Sequence, residues 1–241
     1  MEVDLFIPCF IDQLYPETAF NTIKLLEKAG IKVNYNPSQT CCGQVAFNSG
    51  YWNETKKLAI KFLNDFPNNR PIVSPGASCA GFIKKYYPKI FDSNSLEYKE
   101  IKRLTNNIYE ITDFFVNKIG FTEFNAKFPY KITYHDACSA LREYGIKKEP
   151  RILLSKVKGL ELVEMDKAEV CCGFGGTFSA KFKAISTAMT EQKVESALKT
   201  QADFITSTEA SCLMNIEAYL NRQNINQINV IHIVDILASG I

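Results

Sequence analysis

One cysteine pattern occurs twice in this chain and limits what it can fold into more than any other feature. The first copy is Cys9, Cys41-Cys42-Gly43 and Cys79; the second is Cys138, Cys171-Cys172-Gly173 and Cys212. The intervals are 32 and 37 positions in the first copy against 33 and 40 in the second, and together the copies use all eight cysteines. The echo extends to neighbours, because Ser74-Pro75-Gly76-Ala77-Ser78-Cys79 matches Ser207-Thr208-Glu209-Ala210-Ser211-Cys212 at four of six positions. The reading is two copies of one unit, each carrying four thiols.

At 241 residues and 46% hydrophobic content, the chain can bury a substantial core as one large or two small domains, and the repeat favours two. A net charge of +2 arises from interspersed Lys, Arg, Asp and Glu, with no basic block to follow a phosphate backbone, so nucleic acid is not an expected partner. Glu2 and Asp4 stand where a signal peptide would be basic, and no apolar run reaches the ~18 residues of a membrane span. A cytoplasmic location is expected. In that reducing setting an even cysteine count points to metal or redox chemistry before disulfides.

Each half reads as alternating strands and helices. Val3–Pro8 is an apolar run ending at Cys9. Residues 16–29 place Ala19, Ile23 and Leu26 on one helical face, and Gly30 ends that helix. Ile31–Tyr35 alternates like a strand. A helix capped by Asn53 would bury Leu58, Ala59, Phe62, Leu63 and Phe66, and Pro71–Ser74 is a short strand before Cys79. The second half repeats this order with strands at Lys131–His135, Leu160–Met165 and Asp203–Thr206 and a helix over 185–200. Ile108-Tyr109-Glu110-Ile111 and Ile231-His232-Ile233-Val234 close the two units. The expected fold class is α/β: two tandem repeats related by pseudo-two-fold symmetry, each a small Rossmann-like parallel sheet flanked by helices, spanning residues 1–125 and 126–241. Sites in such sheets form at the carboxyl ends of strands, where Cys9, Cys79, Cys138 and Cys212 are expected.

Thiolates are soft ligands, and four of them suit zinc or an iron–sulfur cluster. Only His135 and His232 are present as imidazole donors. Adjacent cysteines project apart and fit awkwardly on one small ion, whereas neighbouring thiolates can each take a different iron of a cluster, which favours iron–sulfur over zinc. Gly43 and Gly173-Phe174-Gly175-Gly176 follow the pairs, where backbone amides can approach an anionic group or simply turn the chain. Zinc in one or both sites stays open. Thiol–disulfide chemistry by the vicinal pairs is disfavoured by their strained ring and by the absence of C-x-x-C.

Three strings carry a family resemblance: Gln39-Thr40-Cys41-Cys42-Gly43-Gln44 with Ala46-Phe47-Asn48-Ser49-Gly50, Tyr134-His135-Asp136-Ala137-Cys138, and Cys171-Cys172-Gly173-Phe174-Gly175-Gly176-Thr177-Phe178. Along its whole length the chain resembles the cysteine-rich CCG-domain proteins, which include the heterodisulfide reductase B subunit, the glycolate oxidase iron–sulfur subunit and, most similar, the lactate-utilisation A subunit. The resemblance implies an iron–sulfur electron-transfer subunit of a multi-subunit system that oxidises L-lactate to pyruvate. A ferredoxin-like iron–sulfur B subunit and a small C subunit would be its partners. It also implies one cluster on Cys9, Cys41, Cys42 and Cys79 and another on Cys138, Cys171, Cys172 and Cys212. The fuller family motif ends in C-x-x-C, whose first position is Gly76 here in one repeat and Glu209 in the other. Without a fifth thiolate, a [4Fe–4S] cubane in each repeat is expected in place of a non-cubane cluster.

Other polar residues carry competing readings. His135 tunes a cluster or is a satisfied structural histidine. Asp136 and Arg142 anchor a small carboxylic acid or pair internally. Glu209 supplies an oxygen ligand or is a solvated carboxylate at a helix start. His232 is read as packing or surface, Asn48 as a hydrogen-bonding partner of a cysteine loop, and Trp52 as packed beside it. The sequence shows neither a nucleophile–base pair nor a G-x-G-x-x-G after a strand, so catalysis is expected of an assembled system and no dinucleotide is implied.

Overall fold

The computed structural model describes residues 1–240. Its strands are β1 (Glu2–Leu5), β2 (Lys32–Tyr35), β3 (Ile72–Ser74) and β4 (Ile108–Glu110), then β5 (Lys131–Tyr134), β6 (Glu161–Leu162), β7 (Phe204–Ser207) and β8 (Asn229–His232). The helices of the first half are α1 (Cys9–Leu14), α2 (Pro16–Lys28), α3 (Gln44–Asn48), α4 (Trp52–Asp65), α5 (Ala77–Ile90), α6 (Leu96–Asn106) and α7 (Ile111–Asp113), the last running into a π-helical segment at Phe114–Ile119. Those of the second half are α8 (Lys148–Leu154), α9 (Thr177–Lys181), α10 (Lys183–Leu198), α11 (Ala210–Gln223) and α12 (Ile233–Leu237), with a π-helical turn at Ala140–Tyr144.

Two four-stranded sheets result, ordered β2-β1-β3-β4 and β6-β5-β7-β8, and every pairing is parallel. The expected α/β repeat architecture is therefore present. In each sheet the chain reverses its direction of winding between the two central strands, β1 and β3 or β5 and β7. The carboxyl ends of those strands flank the crevice in which doubly wound sheets bind ligands. Central strands buried on both faces read as apolar runs, and β1 and β3 do so with Val3, Leu5, Ile72 and Val73 fully or almost fully buried.

The halves share a core. One apolar cluster joins Val3, Leu5, Leu25 and Phe114 of the first half to Ile132, Leu153, Ile233 and Ile236 of the second, while two further clusters lie mainly in one half each and include the buried cysteines Cys42 and Cys79 or Cys172 and Cys212. The connection at residues 121–130 is part of that packing, with Phe124 and Ala126 each 2% exposed.

Several local expectations shift. Helix α2 turns Thr18, Asn21, Thr22, Leu25 and Leu26 inward. Its buried face is rotated from the apolar stripe because Thr18 and Asn21 hydrogen-bond the Asp235 carboxylate of α12 at 2.8 and 2.9 Å. Helix α4 begins at Trp52 with no side-chain cap, so Asn53 does not cap it. Trp52 itself is 64% exposed and does not pack. The strand expected over 160–165 is only the two residues of β6. The helix caps also set the register of the closing segments: Glu110 caps α7 and His232 caps α12, so these two residues correspond.

Candidate metal centre

The topology delivers all eight cysteines to one place. Cys9 opens α1 just after β1, and Cys79 lies in the first turn of α5 after β3. Cys138 follows β5 by the same step, and Cys212 lies in the first turn of α11 after β7. Both vicinal pairs come from loops after the edge strands β2 and β6. All eight line a single cavity of about 110 Å³, together with Pro8, Asn48, Gly76 and Glu209. Every thiol is free; Cys42, Cys79, Cys172 and Cys212 are buried, and Cys9, Cys41, Cys138 and Cys171 are half-buried nearer the mouth.

Within the first quartet Cys9 Sγ lies 3.8 Å from Cys41 Sγ, and Cys42 Sγ lies 3.2 Å from Cys79 Sγ. Glycine places an amide at each pair: the Gly43 N–H points at Cys41 Sγ and the Gly173 N–H at Cys171 Sγ, both at 3.4 Å. Both glycines have positive φ, +87° and +91°, which L side chains rarely adopt. The carbonyl after each second cysteine is anchored from inside. Tyr87 donates to Cys42 O at 2.8 Å, and Thr190 and Asn215 donate to Cys172 O at 2.8 and 3.1 Å. Loop and helix thus hold the sulfurs in place before any ligand arrives.

The thiols of each quartet share protons with one another. Hydrogen bonds from Cys42 and Cys9, with the Gly43 amide, hold the Cys41 thiol far below its usual range. Cys9 is pushed up by its bond to Cys41 and then by burial, and Cys42 by its bonds to Cys41 and Cys79 together with complete burial. In the second repeat the bond to Cys171, and then burial, push Cys138 up. Four thiols this close cannot all ionise against mutual repulsion, so a positive ion or cluster that displaces the protons fits the donor set. The 3.8 Å separation of Cys9 and Cys41 is close to the edge of a tetrahedral site with zinc–sulfur bonds of about 2.3 Å, whereas the 3.2 Å separation of Cys42 and Cys79 is shorter than that edge.

The two repeats close the cavity together. Phe10 and Phe174, each following a cysteine motif, meet edge to face at 5.5 Å. Ser49 and Thr177 hydroxyls sit 3.2 Å apart across the junction of α3 and α9. Glu209 is buried at 6% exposure and is not a solvated carboxylate. One of its oxygens accepts from the Ser211 hydroxyl at 2.7 Å and the other from the Ser78 N–H at 2.8 Å, so it caps α11 and reaches the first turn of α5 in the other repeat.

The remaining residues sort clearly. Asp136 is bound in two-pronged fashion by Arg151, at 2.9 Å to each oxygen, and Arg151 also holds Glu164 and lies over the Tyr134 ring. The partner of Asp136 is therefore Arg151 and not Arg142, and the pair is internal, leaving no carboxylate anchor there. His232 is buried and accepts the Val234 N–H on Nδ1, a capping role. His135 is fully buried beside the second quartet, where one ring nitrogen and the sulfurs of Cys172 and Cys212 lie within 4.8 Å of one another. Burial and nearby Lys193 keep it neutral, with its pKa lowered to about 3. Lys193, buried in α10, was not singled out in the sequence; a charged residue on an otherwise inward-facing helix stripe was the available signal.

Comparison with known proteins agrees with this arrangement. The sequence model of the CCG cysteine-rich domain matches twice, over residues 3–84 and 132–217. The chain is 38% identical to lactate utilization protein A 2 of Bacillus cereus over 241 residues, covering 100% of this chain and 99% of that protein. It is 39% identical to lactate utilization protein A of Oceanobacillus iheyensis over 237 residues, covering 98% and 96%. Among solved structures, a hypothetical protein from Helicobacter pylori superposes with a TM-score of 0.65 at 13% identity, and this chain spans 49% of it. That likeness shows the fold alone. With both domain copies matched and full-length relatives alongside, the chain belongs to the cysteine-rich CCG domain family, in the company of the lactate utilization A proteins.

Proposed function

We propose that this chain is an iron–sulfur electron-transfer subunit of a multi-component, cytoplasmic system that oxidises L-lactate to pyruvate. A [4Fe–4S] cluster would sit on Cys9, Cys41, Cys42 and Cys79 in the repeat 1–125 and another on Cys138, Cys171, Cys172 and Cys212 in the repeat 126–241. The observation that carries this reading is that eight free thiols from two repeats line one cavity. When bound, such clusters supply one-electron storage at potentials set by their surroundings. The chain's own part is to fix the sulfurs, to aim the Gly43 and Gly173 amides at them and to exclude water with Phe10 and Phe174. Because both quartets face the same cavity, groups held there are close neighbours, an arrangement suited to passing electrons between them.

The lactate assignment is carried over from the names of the full-length relatives. Partners of the expected kind are a ferredoxin-like iron–sulfur B subunit and a small C subunit. No described helix is long and apolar enough to cross a membrane. A second reading, zinc in the second quartet within a scaffold subunit, draws support from the His135, Cys172 and Cys212 group, a donor set zinc also accepts. Chelation should then unfold the protein.

Anaerobically purified protein should show thiolate-to-iron absorption that bleaches on reduction, with Cys42→Ser and Cys172→Ser each removing about half of it, as expected for one cluster per repeat. The purified chain should not oxidise lactate alone but should do so with its partner subunits. An absorption spectrum without charge-transfer bands, or robust turnover by the isolated chain, would overturn the proposal.

A further inference from the structure

The two repeats differ at one pair of buried positions beside the cysteines. Three residues before Cys9 stands Phe6, fully buried, its ring edge-on to Phe62 at 4.9 Å. Three residues before Cys138 stands His135, equally buried. The helices fix the other member of the pair. Leu58 of α4 lies over Gly43 and Met189 of α10 lies over Gly173, and one turn further on are Phe62 and Lys193. An aromatic pair in the first repeat is thus a histidine–lysine pair in the second.

The exchange is unfavourable for packing alone. Phe6 and Phe62 need no partners, whereas neither Nδ1 nor Nε2 of His135 makes a hydrogen bond of ordinary geometry, and the Ala168 carbonyl close by is already taken by the Asp136 N–H at 3.1 Å and Lys193 at 3.0 Å. Buried polar groups are nearly always paired because leaving one unpaired is costly. Lys193 is satisfied differently, its ammonium donating to the carbonyl oxygens of Lys167 at 2.6 Å and Ala168 at 3.0 Å. The orphaned imidazole faces sulfur, with one nitrogen within 4.8 Å of both Cys172 and Cys212.

We propose that His135 is a nitrogen donor of the second centre, ligating beside Cys172 and Cys212 in place of one of the half-buried thiolates, Cys138 or Cys171, so that this centre has three sulfurs and one nitrogen while the first is all-thiolate. The inference rests on the reading that each quartet holds a metal group. An imidazole is a neutral donor, and Lys193 adds positive charge on the same side, whereas Phe6 and Phe62 add neither to the first centre. Lower negative charge raises a reduction potential, as when histidine replaces cysteine in a two-iron cluster. The second centre is therefore the higher-potential one, and electrons run downhill from the first repeat to the second.

The test uses the full chain, loaded anaerobically with ferrous iron and sulfide, in a Cys9→Ser/Cys42→Ser background that leaves only the second quartet. Pulsed electron paramagnetic resonance of the reduced protein should show nitrogen coupling that changes when histidine is ¹⁵N-labelled. The coupling should vanish in His135→Phe and in His135→Gln, and redox titration of both variants should give a lower midpoint potential. If purified protein carries zinc there, X-ray absorption should show one nitrogen at about 2.0–2.1 Å. Metal bound at the second quartet without a histidine nitrogen signal would overturn this inference and leave the metal reading standing. Failure of either quartet to retain iron or zinc would overturn both. The labelled, unmutated histidine keeps the test valid should a variant not fold.

Discussion

Gly76 and Glu209 show how single residues decide the ligand count. A Cβ on Gly76 would lie 2.5 Å from the Pro8 ring, so no side chain fits where the fuller family motif has its fifth cysteine. The counterpart of Pro8 in the second repeat is the smaller Ala137, and there Glu209 fits and spends its carboxylate on Ser78 and Ser211. Glu209→Ala should lower stability by roughly 1–3 kcal/mol, because it leaves buried donors unpaired. Urea unfolding should show this as a lower midpoint while iron content stays unchanged; loss of metal would instead make Glu209 a ligand. Gly173→Ala should cost more than Gly120→Ala. Both positions have positive φ, but a Cβ on Gly173 would meet the Ser186 carbonyl oxygen at 2.5 Å, while none of its neighbours lies within 4 Å of one on Gly120. The strain of left-handed backbone alone, about 1–2 kcal/mol, is what Gly120→Ala should show in thermal unfolding.

Helix starts behave differently in the two repeats although they occupy equivalent places. Glu110 is fully buried and accepts the N–H groups of Thr112 and Asp113, and burial pushes its pKa to about 8 despite those bonds. A carboxyl raised in the folded state contributes stability at low pH that is lost as pH rises from its unfolded value near 4.5 through about 8. His232, its counterpart, is shifted down by burial, so its contribution is lost as pH falls below its usual range. Glu110→Gln should therefore flatten the decline in melting temperature between about pH 5 and 8 relative to the parent, the window set by that shift. An unchanged slope would show that Glu110 is ionised in the folded protein. At this scale the sequence was readable wherever periodicity reports burial: β1, β3, β5 and β7 and the inner face of α4 follow from apolar spacing. It was not readable where a distant partner decides, as when Asp235 draws Thr18 and Asn21 inward, or where Trp52 is left exposed despite its size.

For the molecule as a whole, duplication fixes the cavity and the shared core fixes how the copies meet. The alternation of strands and helices foretold two parallel sheets, and the cysteine repeat foretold a thiol quartet in each, with Cys9, Cys79, Cys138 and Cys212 at strand ends. It did not foretell that both quartets would line one cavity, because that depends on contacts between halves such as Phe10 with Phe174 and Glu209 with Ser78. Since one apolar cluster contains strands of both sheets, the full chain should unfold in urea as a single transition by fluorescence and circular dichroism. Two separated transitions would mean that the halves are independent. The central claim is that each repeat carries a cluster, and the most direct measurement is iron, acid-labile sulfide and zinc on protein purified without oxygen. Two [4Fe–4S] clusters require about eight iron and about eight sulfide per chain. Stoichiometric zinc without iron would contradict the account.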